Sequence, residues 1–556
     1  MSDAAVGGRQ AAAAREAASG TAARPRDDVI PPPGAPGAPD QAGGPGPAAR
    51  PGTGPGRLVR ARGLLARHWL FAAVLAGAAA LRAVVMLGYP PVIWFNDSYS
   101  YVASAVYHSA SRARPGGYPA FLAVLEPFHS FELVAALQHL MGLAIGAGIY
   151  ALLRRRGLPA WGAALAAVPV LYDAYQVQLE QQVMSDALFM ILLTAVVVLL
   201  CWPRGATPSD TPGGAWRDRV SVRVAVVAGV LVGLAALVRS VGLPLLVVVA
   251  VCLLAWRAGW RPVAALVAAG VVPMAGYMLV FYAQHGSFSM TTSNGVFLYG
   301  RTMSFADCTV IKPPPSLAKL CDPRPPAQRP IAAEYIWNKQ DPLWRLAHHS
   351  LFEPQVNRPA GQFARRAIEA QPLAYLQAVA SDSWRSFWWQ RTLAYDRKTD
   401  IFYVFTNPPP HIPGWGFWPA LRVYQPGLSQ PRAVPPFAGF LHAYQRVFYL
   451  RGTLLGVLLL AGLGGLIARW RYRLPRETAP RDPPVRAWGG PALLPWLLAV
   501  SLIVLPAATS GFSYRYELAV TPFACLAAGL AFASRRPGER IWLPFARRRE
   551  SEPREA

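Results

Sequence analysis

Apolar residues along this chain gather into blocks of roughly 16 to 22, broken by short polar or Arg-bearing stretches. That is the length a helix needs to cross about 30 Å of hydrocarbon at about 1.5 Å per residue. About ten such blocks are legible. They run from about His68 to Tyr89, to a close at Arg154, Arg155 and Arg156, and to an end near Tyr172. Four more cover about Val183 to Trp202, Val224 to Val238, Val241 to Trp256 and Pro262 to Tyr282. The last three cover about Gly452 to Ala468, Pro491 to Ala508 and Leu518 to Ala533. The pattern predicts an all-α polytopic membrane protein of about ten transmembrane helices with a smaller, mixed but mainly helical extracytoplasmic domain.

Arginines orient the spans. Arg57, Arg60, Arg62 and Arg67 precede the first block. Arg204, Arg217, Arg219 and Arg223 follow the fourth, and Arg257 and Arg261 follow the sixth. Arg469, Arg471, Arg473 and Arg476 follow the eighth, with Arg535 and Arg536 after the last. The positive-inside rule puts these groups, and hence both termini, in the cytoplasm. The organisation expected is a disordered Ala/Gly/Pro-rich cytoplasmic tail (1–56), a membrane module with seven spans and an outer loop (57–283), an extracytoplasmic soluble domain (284–443), a second membrane module (444–534) and a basic cytoplasmic tail (535–556). Within the outer domain, Leu373, Leu376, Ala380, Trp384 and Phe387 recur at helical spacing.

Composition agrees. Of 556 residues 53% are hydrophobic and 15% charged, against about one quarter charged in a soluble domain. The formal charge of +25 comes mainly from arginines beside the spans. No basic helix or aromatic-basic module stands apart from them, so a nucleic-acid partner is excluded. Cys201, Cys252 and Cys525 read as small apolar residues of spans or span ends. Cys308 and Cys321 fall in the expected outer domain, where an oxidising compartment favours a disulfide over two inert free thiols. Neither has the CxxC or HxxxH spacing of a zinc site.

Candidate chemistry clusters at the outer ends of spans. Asp97 lies in YPPVIWFNDSYSYVASAVYH, about eight residues beyond the first span, with Tyr101 one turn later. If the helix begins at Ser98, Asp97 is its N-cap; a carboxylate there either only caps or also serves as a general base. Glu180 and Asp186 sit in YDAYQVQLEQQVMSDALF, six apart and therefore not on one helical face. Asp186 enters an apolar run and either has a partner or stays solvated at the interface. Arg223 and Arg239 bracket the fifth block with about 24 Å of helix between them, so Arg239 either lies below the outer lipid surface, where a guanidinium fork suits a phosphate, or snorkels. Arg82 lies inside the first span and needs a carboxylate or phosphate partner, a structural ion pair being the simpler one. Arg515, in SGFSYRYELAVTP, adds a third cation on the outer side. No GxxxxGK[ST] and no strand followed by GxGxxG occurs, so a cytosolic nucleotide donor is not indicated.

On NDSYSYVASA, RPGGYPAFLAVL, EQQVMSDALF, LVRSVGLPLL and FSYRYELAVTP, in that order, the chain resembles the GT-C superfamily of polyprenyl-phosphate-dependent glycosyltransferases, the bacterial branch similar to protein O-mannosyltransferases and lipid A aminoarabinose transferases. The resemblance implies a sugar passed, with inversion, from a polyprenyl-phosphate donor to a hydroxyl acceptor (protein, glycan, lipid or natural product) outside the cell membrane. It implies Asp97 as catalytic base, Asp186 supporting base or acceptor, and Arg239 on the donor phosphate. Tyr101, Glu180, Arg82 and Arg515 are further candidates to line the donor and substrate site. Many members carry a second acid beside the first; here Asn96 stands there, so no metal is assigned, a divalent cation remaining an open possibility that the spacing does not support. Two other readings are a lipid-linked-sugar transporter and a non-catalytic cell-envelope scaffold.

Overall fold

The computed structural model describes residues 57–202, 220–347, 349–390, 401–414, 416–471 and 490–533, without the side chains of 57–67 and 469–471. The expected disordered tail, Arg204, Arg217, Arg219, Arg473, Arg476 and the basic C-terminal tail lie outside the described residues. Of the compact unit Met1–Arg60 only the last four residues are described, and the fold below belongs to the unit Ala61–Ala556.

Among the described residues every regular element is a helix, with one isolated parallel bridge between Ile93 and Gln182. The first ten α-helices are α1 (Arg57–Gly88), α2 (Asn96–Val106), α3 (Gly117–Leu125), α4 (Phe131–Arg155), α5 (Ala160–Tyr172), α6 (Ala174–Glu180), α7 (Asp186–Cys201), α8 (Val222–Val238), α9 (Gly242–Ala255) and α10 (Trp260–His285). Long helices near the C-terminal end are Gly452–Arg471, Leu493–Thr509 and Tyr514–Phe532. Each apolar block of the sequence has its helix, and the chain is an all-helical polytopic membrane protein.

The spans are unequal. His68–Gly88, Phe131–Arg155, Trp260–His285 and Gly490–Thr509 are long and apolar enough to cross a membrane. Ala160–Tyr172, Asp186–Cys201, Val222–Val238, Gly242–Ala255 and Gly452–Ala468 are apolar but run only 10–17 residues. Several of the short ones stop where polar chemistry begins. Helix α5 ends at Tyr172, and Asp173 then caps α6, accepting from the Tyr175 and Gln176 N–H groups at 2.8 and 3.2 Å. Helix α7 starts on Asp186, and α8 ends before Arg239, whose extended backbone (φ −146°) breaks the turn.

Apolar residues of the segment 284–443 are shared among three cores. Val296, Tyr299, Leu320, Tyr335, Phe363 and Ala367 belong to a core of their own. Ile412, Leu421 and Tyr424 instead join the core of the main bundle, while Phe405, Ala438 and Leu441 pack with Leu81, Val85 and Tyr89. In the Pro-rich stretch NPPPHIPGWGFWP, Ile412 finds burial in the bundle core, whereas Phe417 is 43% exposed. The helix predicted around Leu373 is present as Pro372–Arg385, but its stripe faces outward: Leu373, Leu376 and Trp384 are 73%, 59% and 66% exposed.

Cys308 and Cys321 form a disulfide, 13 residues apart in sequence, whereas Cys201, Cys252 and Cys525 are buried free thiols. Closing a loop of that length restricts the unfolded chain by about 3 kcal/mol. Cys308→Ser should therefore raise proteolysis within residues 290–370 markedly while leaving the bundle intact, as limited digestion with mass mapping would show.

Candidate functional site

The site begins with a helix start. In α2 the N-cap is Phe95 and the helix already includes Asn96, so Asp97 stands in the first turn and is not the cap expected from sequence. Ser98 fixes this start: its Oγ accepts the Phe95 N–H at 3.0 Å. A carboxylate in the first turn faces the positive end of the helix dipole. Asp97 is 7% exposed, and a buried carboxylate needs partners.

It has two. Arg114, from the loop between α2 and α3, donates through Nη2 to Asp97 Oδ1 at 2.5 Å. Arg515, at the start of Tyr514–Phe532, donates through Nη1 to Oδ2 at 3.3 Å. Arg515 also bridges to the second acid, its Nε lying 3.6 Å from Asp186 Oδ1. Arg239 donates to the same Asp186 oxygen. The order Arg114, Asp97, Arg515, Asp186, Arg239 is thus a continuous alternation of charge contributed by five separate stretches of chain. Asp186 Oδ2 is buried and has no hydrogen-bond partner among the described residues.

Aromatic rings hold the cations in register. The Arg239 guanidinium lies over Phe189 and Tyr516 at 5.7 and 5.1 Å. Arg515 lies over Phe95 and Tyr516 at 5.4 and 5.6 Å. Arg114 sits against Tyr101 and Trp337, each at 5.9 Å. Ring faces attract cations most where water is displaced, so these stacks reduce the cost of burying three arginines. Tyr101 itself meets Ser185 through its hydroxyl at 3.3 Å. Burial alone would push the Asp97 carboxyl up; Arg114 and Arg515 outweigh it and hold the group below the ordinary carboxylate value.

One glycine closes the site. A β-carbon on Gly117 would lie 2.6 to 2.8 Å from backbone atoms of Leu237 and Val238. The RPGG turn therefore lets the start of α3 abut the end of α8, bringing the Arg114 loop beside the turn that carries Arg239.

Arg82 and Glu180, expected on the donor and substrate side, are engaged elsewhere. Arg82 donates to Glu180 through Nε and Nη2 at 2.8 and 3.0 Å, and to the carbonyl of Leu171 at 2.8 Å. His139 Nδ1 lies 3.0 Å from Glu180 Oε2, and Gln176 donates to Oε1 at 3.0 Å. Both ion-pair partners are at most 2% exposed. Their bonds to one another and to neighbouring groups make them a structural tie between α1, α4, α5 and α6. Sequence reasoning in turn missed Arg114, Tyr516 and Trp337. The first two lie in the quoted stretches RPGGYPAFLAVL and FSYRYELAVTP, but nothing in spacing ties either to Asp97.

Arg515 pairs with both carboxylates, and among the described residues no group of three or more His, Cys, Asp or Glu side chains gathers.

No family model and no curated protein matches the chain. Among solved structures it is similar to the S. cerevisiae protein O-mannosyltransferase Pmt1-Pmt2 complex bound to the sugar donor, at 16% identity over 43% of this chain and 36% of that one, TM-score 0.31. It is also similar to the oligosaccharyltransferase AglB from Archaeoglobus fulgidus with an inhibitory peptide and a dolichol-phosphate, at 12% identity over 84% of this chain and 50% of that one, TM-score 0.38. A third likeness is to ArnT from Cupriavidus metallidurans bound to undecaprenyl phosphate, at 14% identity over 84% of this chain and 77% of that one, TM-score 0.31. The chain spans about a third and a half of the lengths of the first two. At these scores the likeness decides nothing about the site, which rests on the geometry above.

Proposed function

We propose that the protein is an integral membrane glycosyltransferase. It moves a sugar from a polyprenyl-phosphate donor to a hydroxyl acceptor on the outer side of the cytoplasmic membrane, with inversion at the anomeric carbon. The observation that carries this reading is the buried run of five charges. Three guanidinium groups face two carboxylates, which leaves one positive charge, the complement of a sugar phosphodiester. Arg239 and Arg515, stacked on Tyr516, receive the phosphate and stabilise the charge that grows on it as the glycosidic bond breaks. Asp97 takes the proton of the acceptor hydroxyl as that oxygen attacks. A phosphate leaves well without protonation, so no separate general acid is required. Asp186 holds the two arginines in place.

The reading is tested with purified protein in nanodiscs, a polyprenyl-phosphate sugar and a hydroxyl acceptor, following release of the polyprenyl phosphate by mass spectrometry. Movement of the donor across the bilayer without release would favour a transporter. Arg239→Gln should raise the donor KM by about tenfold or more, the loss of one charge-assisted contact. Asp97 starts below the ordinary carboxylate value of about 3.9, so it is ionised throughout the neutral range. The acid limb of kcat/KM, which reports the free enzyme, should therefore fall below that value. The sign for stability is the same: a depressed carboxylate stabilises the fold above its unfolded pKa, and this contribution is lost as pH falls through the folded one.

A further inference from the structure

Each oxygen of Asp97 accepts from one arginine, and two positive charges so close make it a weaker base. Moving one arginine away would strengthen the base. Arg515 is tied to Asp186 as well as Asp97 and stacks on Phe95 and Tyr516, with 9% of its surface exposed. Arg114 has a different standing. Among the described residues its ion pair with Asp97 is its one polar contact, its side chain is 18% exposed, and it rides on the loop between α2 and α3. That loop is bonded to the segment entering the outer region: the Thr292 N–H donates to Arg112 O at 2.9 Å and Ser293 Oγ to Ala113 O at 3.0 Å. The guanidinium lies 5.9 Å from the ring centroids of Tyr101 of α2 and of Trp337, a tryptophan 51% exposed, so one of its two rings stands at the surface.

We propose that Arg114 is a positioning residue that latches Asp97, and that a phosphate group entering beside Arg239 and Arg515 draws Arg114 off Asp97 Oδ1, freeing that oxygen to act as base. The inference rests on the glycosyltransfer reading only for the source of the phosphate. The latch itself is a property of the side chains. Groups facing Asp97 are Arg114 from its loop, Arg515 from the last helix and Tyr403, with Tyr101 one step further through Arg114 and Tyr516, Asp186 and Arg239 one step further through Arg515 or Asp186. Of these, Arg114 alone couples the base to the outer surface. Donor binding and base activation thus become one event, and a site without phosphate has no free base with which to activate water.

The test reads Asp97 directly. Dicyclohexylcarbodiimide modifies protonated carboxyl groups, and peptide mass spectrometry on the full chain in nanodiscs gives the labelled fraction of Asp97 at each pH. Wild type should resist labelling down to acid pH. Arg114→Gln should move half-labelling upward by about one pH unit or more, the effect of removing a close opposite charge, and Arg114→Lys should restore most of the wild-type profile. Undecaprenyl phosphate should raise labelling of the wild type toward the Arg114→Gln level, and inorganic phosphate at the same concentration should not. Equal effects of the two would assign the latch to free phosphate. No effect of either would overturn the phosphate step alone. A profile for well-folded Arg114→Gln that superimposes on wild type overturns the latch, whatever the transfer assay shows; a failed transfer assay with a shifted profile removes the glycosyltransfer reading and leaves the latch.

Discussion

Asp97→Asn should lower kcat for sugar transfer by about 10²- to 10⁴-fold, the usual contribution of a positioned proton acceptor, with donor KM changed little. The amide is isosteric and still accepts one hydrogen bond, so shape survives while basicity is lost. Arg114 and Arg515 then face a neutral group, which adds positive charge to the site and favours the phosphate of the donor. A normal or tighter donor affinity with abolished turnover is therefore the signature of a base. Turnover at the wild-type rate would remove Asp97 from the chemistry, and a collapse of donor binding would make it a structural anchor instead. Measuring kcat and KM separately for donor and acceptor distinguishes the three.

Glu180→Ala should destabilise the bundle by about 3–5 kcal/mol, because it leaves Arg82 buried without a counter-ion. Four elements meet at this pair: α1 supplies Arg82, α6 ends on Glu180, α4 brings His139, and the C-terminal carbonyl of α5 at Leu171 accepts from Arg82. Helix α4 also leaves the space: a β-carbon on Gly142 would collide with the Glu180 carboxylate and lie 2.8 Å from Arg82 Nη2. Gly142→Ala should accordingly reproduce much of the loss. The double replacement Arg82→Met with Glu180→Leu should recover most of it, since buried ion pairs exchanged for packed apolar groups are often neutral or better. Thermal unfolding in detergent, followed by tryptophan emission, reads all three variants. Equal damage by the single and double replacements would mean that the charges themselves, and not their pairing, carry the function of this tie.

The membrane fold was legible because its signal is local. A run of apolar residues is a span wherever its neighbours lie, and each block from His68 to Ala533 has a helix. Most of the candidate site was legible for a related reason: Asp97, Asp186, Arg239 and Arg515 are charges abutting apolar runs, which are costly without partners. Their pairing was not legible. Asp97 and Arg515 meet across 418 positions, and no spacing rule spans such a distance. Glu180 and Arg82 show the converse. Arg82 needed a partner on sequence grounds, and it found Glu180. Arg114 escaped notice because it sits in an ordinary loop, where an arginine costs nothing until the fold brings it onto a carboxylate. Low hydropathy in the region 284–443 shows where a segment leaves the bilayer, not which core its apolar residues join.

Helix α8 has 17 residues, about 26 Å of rise, against a hydrocarbon slab of about 30 Å. The shortfall imposes hydrophobic mismatch on the surrounding lipid, which must compress near Arg239 or leave acyl chains facing polar side chains. Compression draws phosphate head groups inward, toward the level of the buried charges. On the proposed function, donor capture depends on acyl-chain length: short-chain phosphatidylcholine should accommodate α8 without strain, and long-chain lipid should raise the apparent donor KM. The lipid around this protein would then act as an adjustable wall of the proposed binding site.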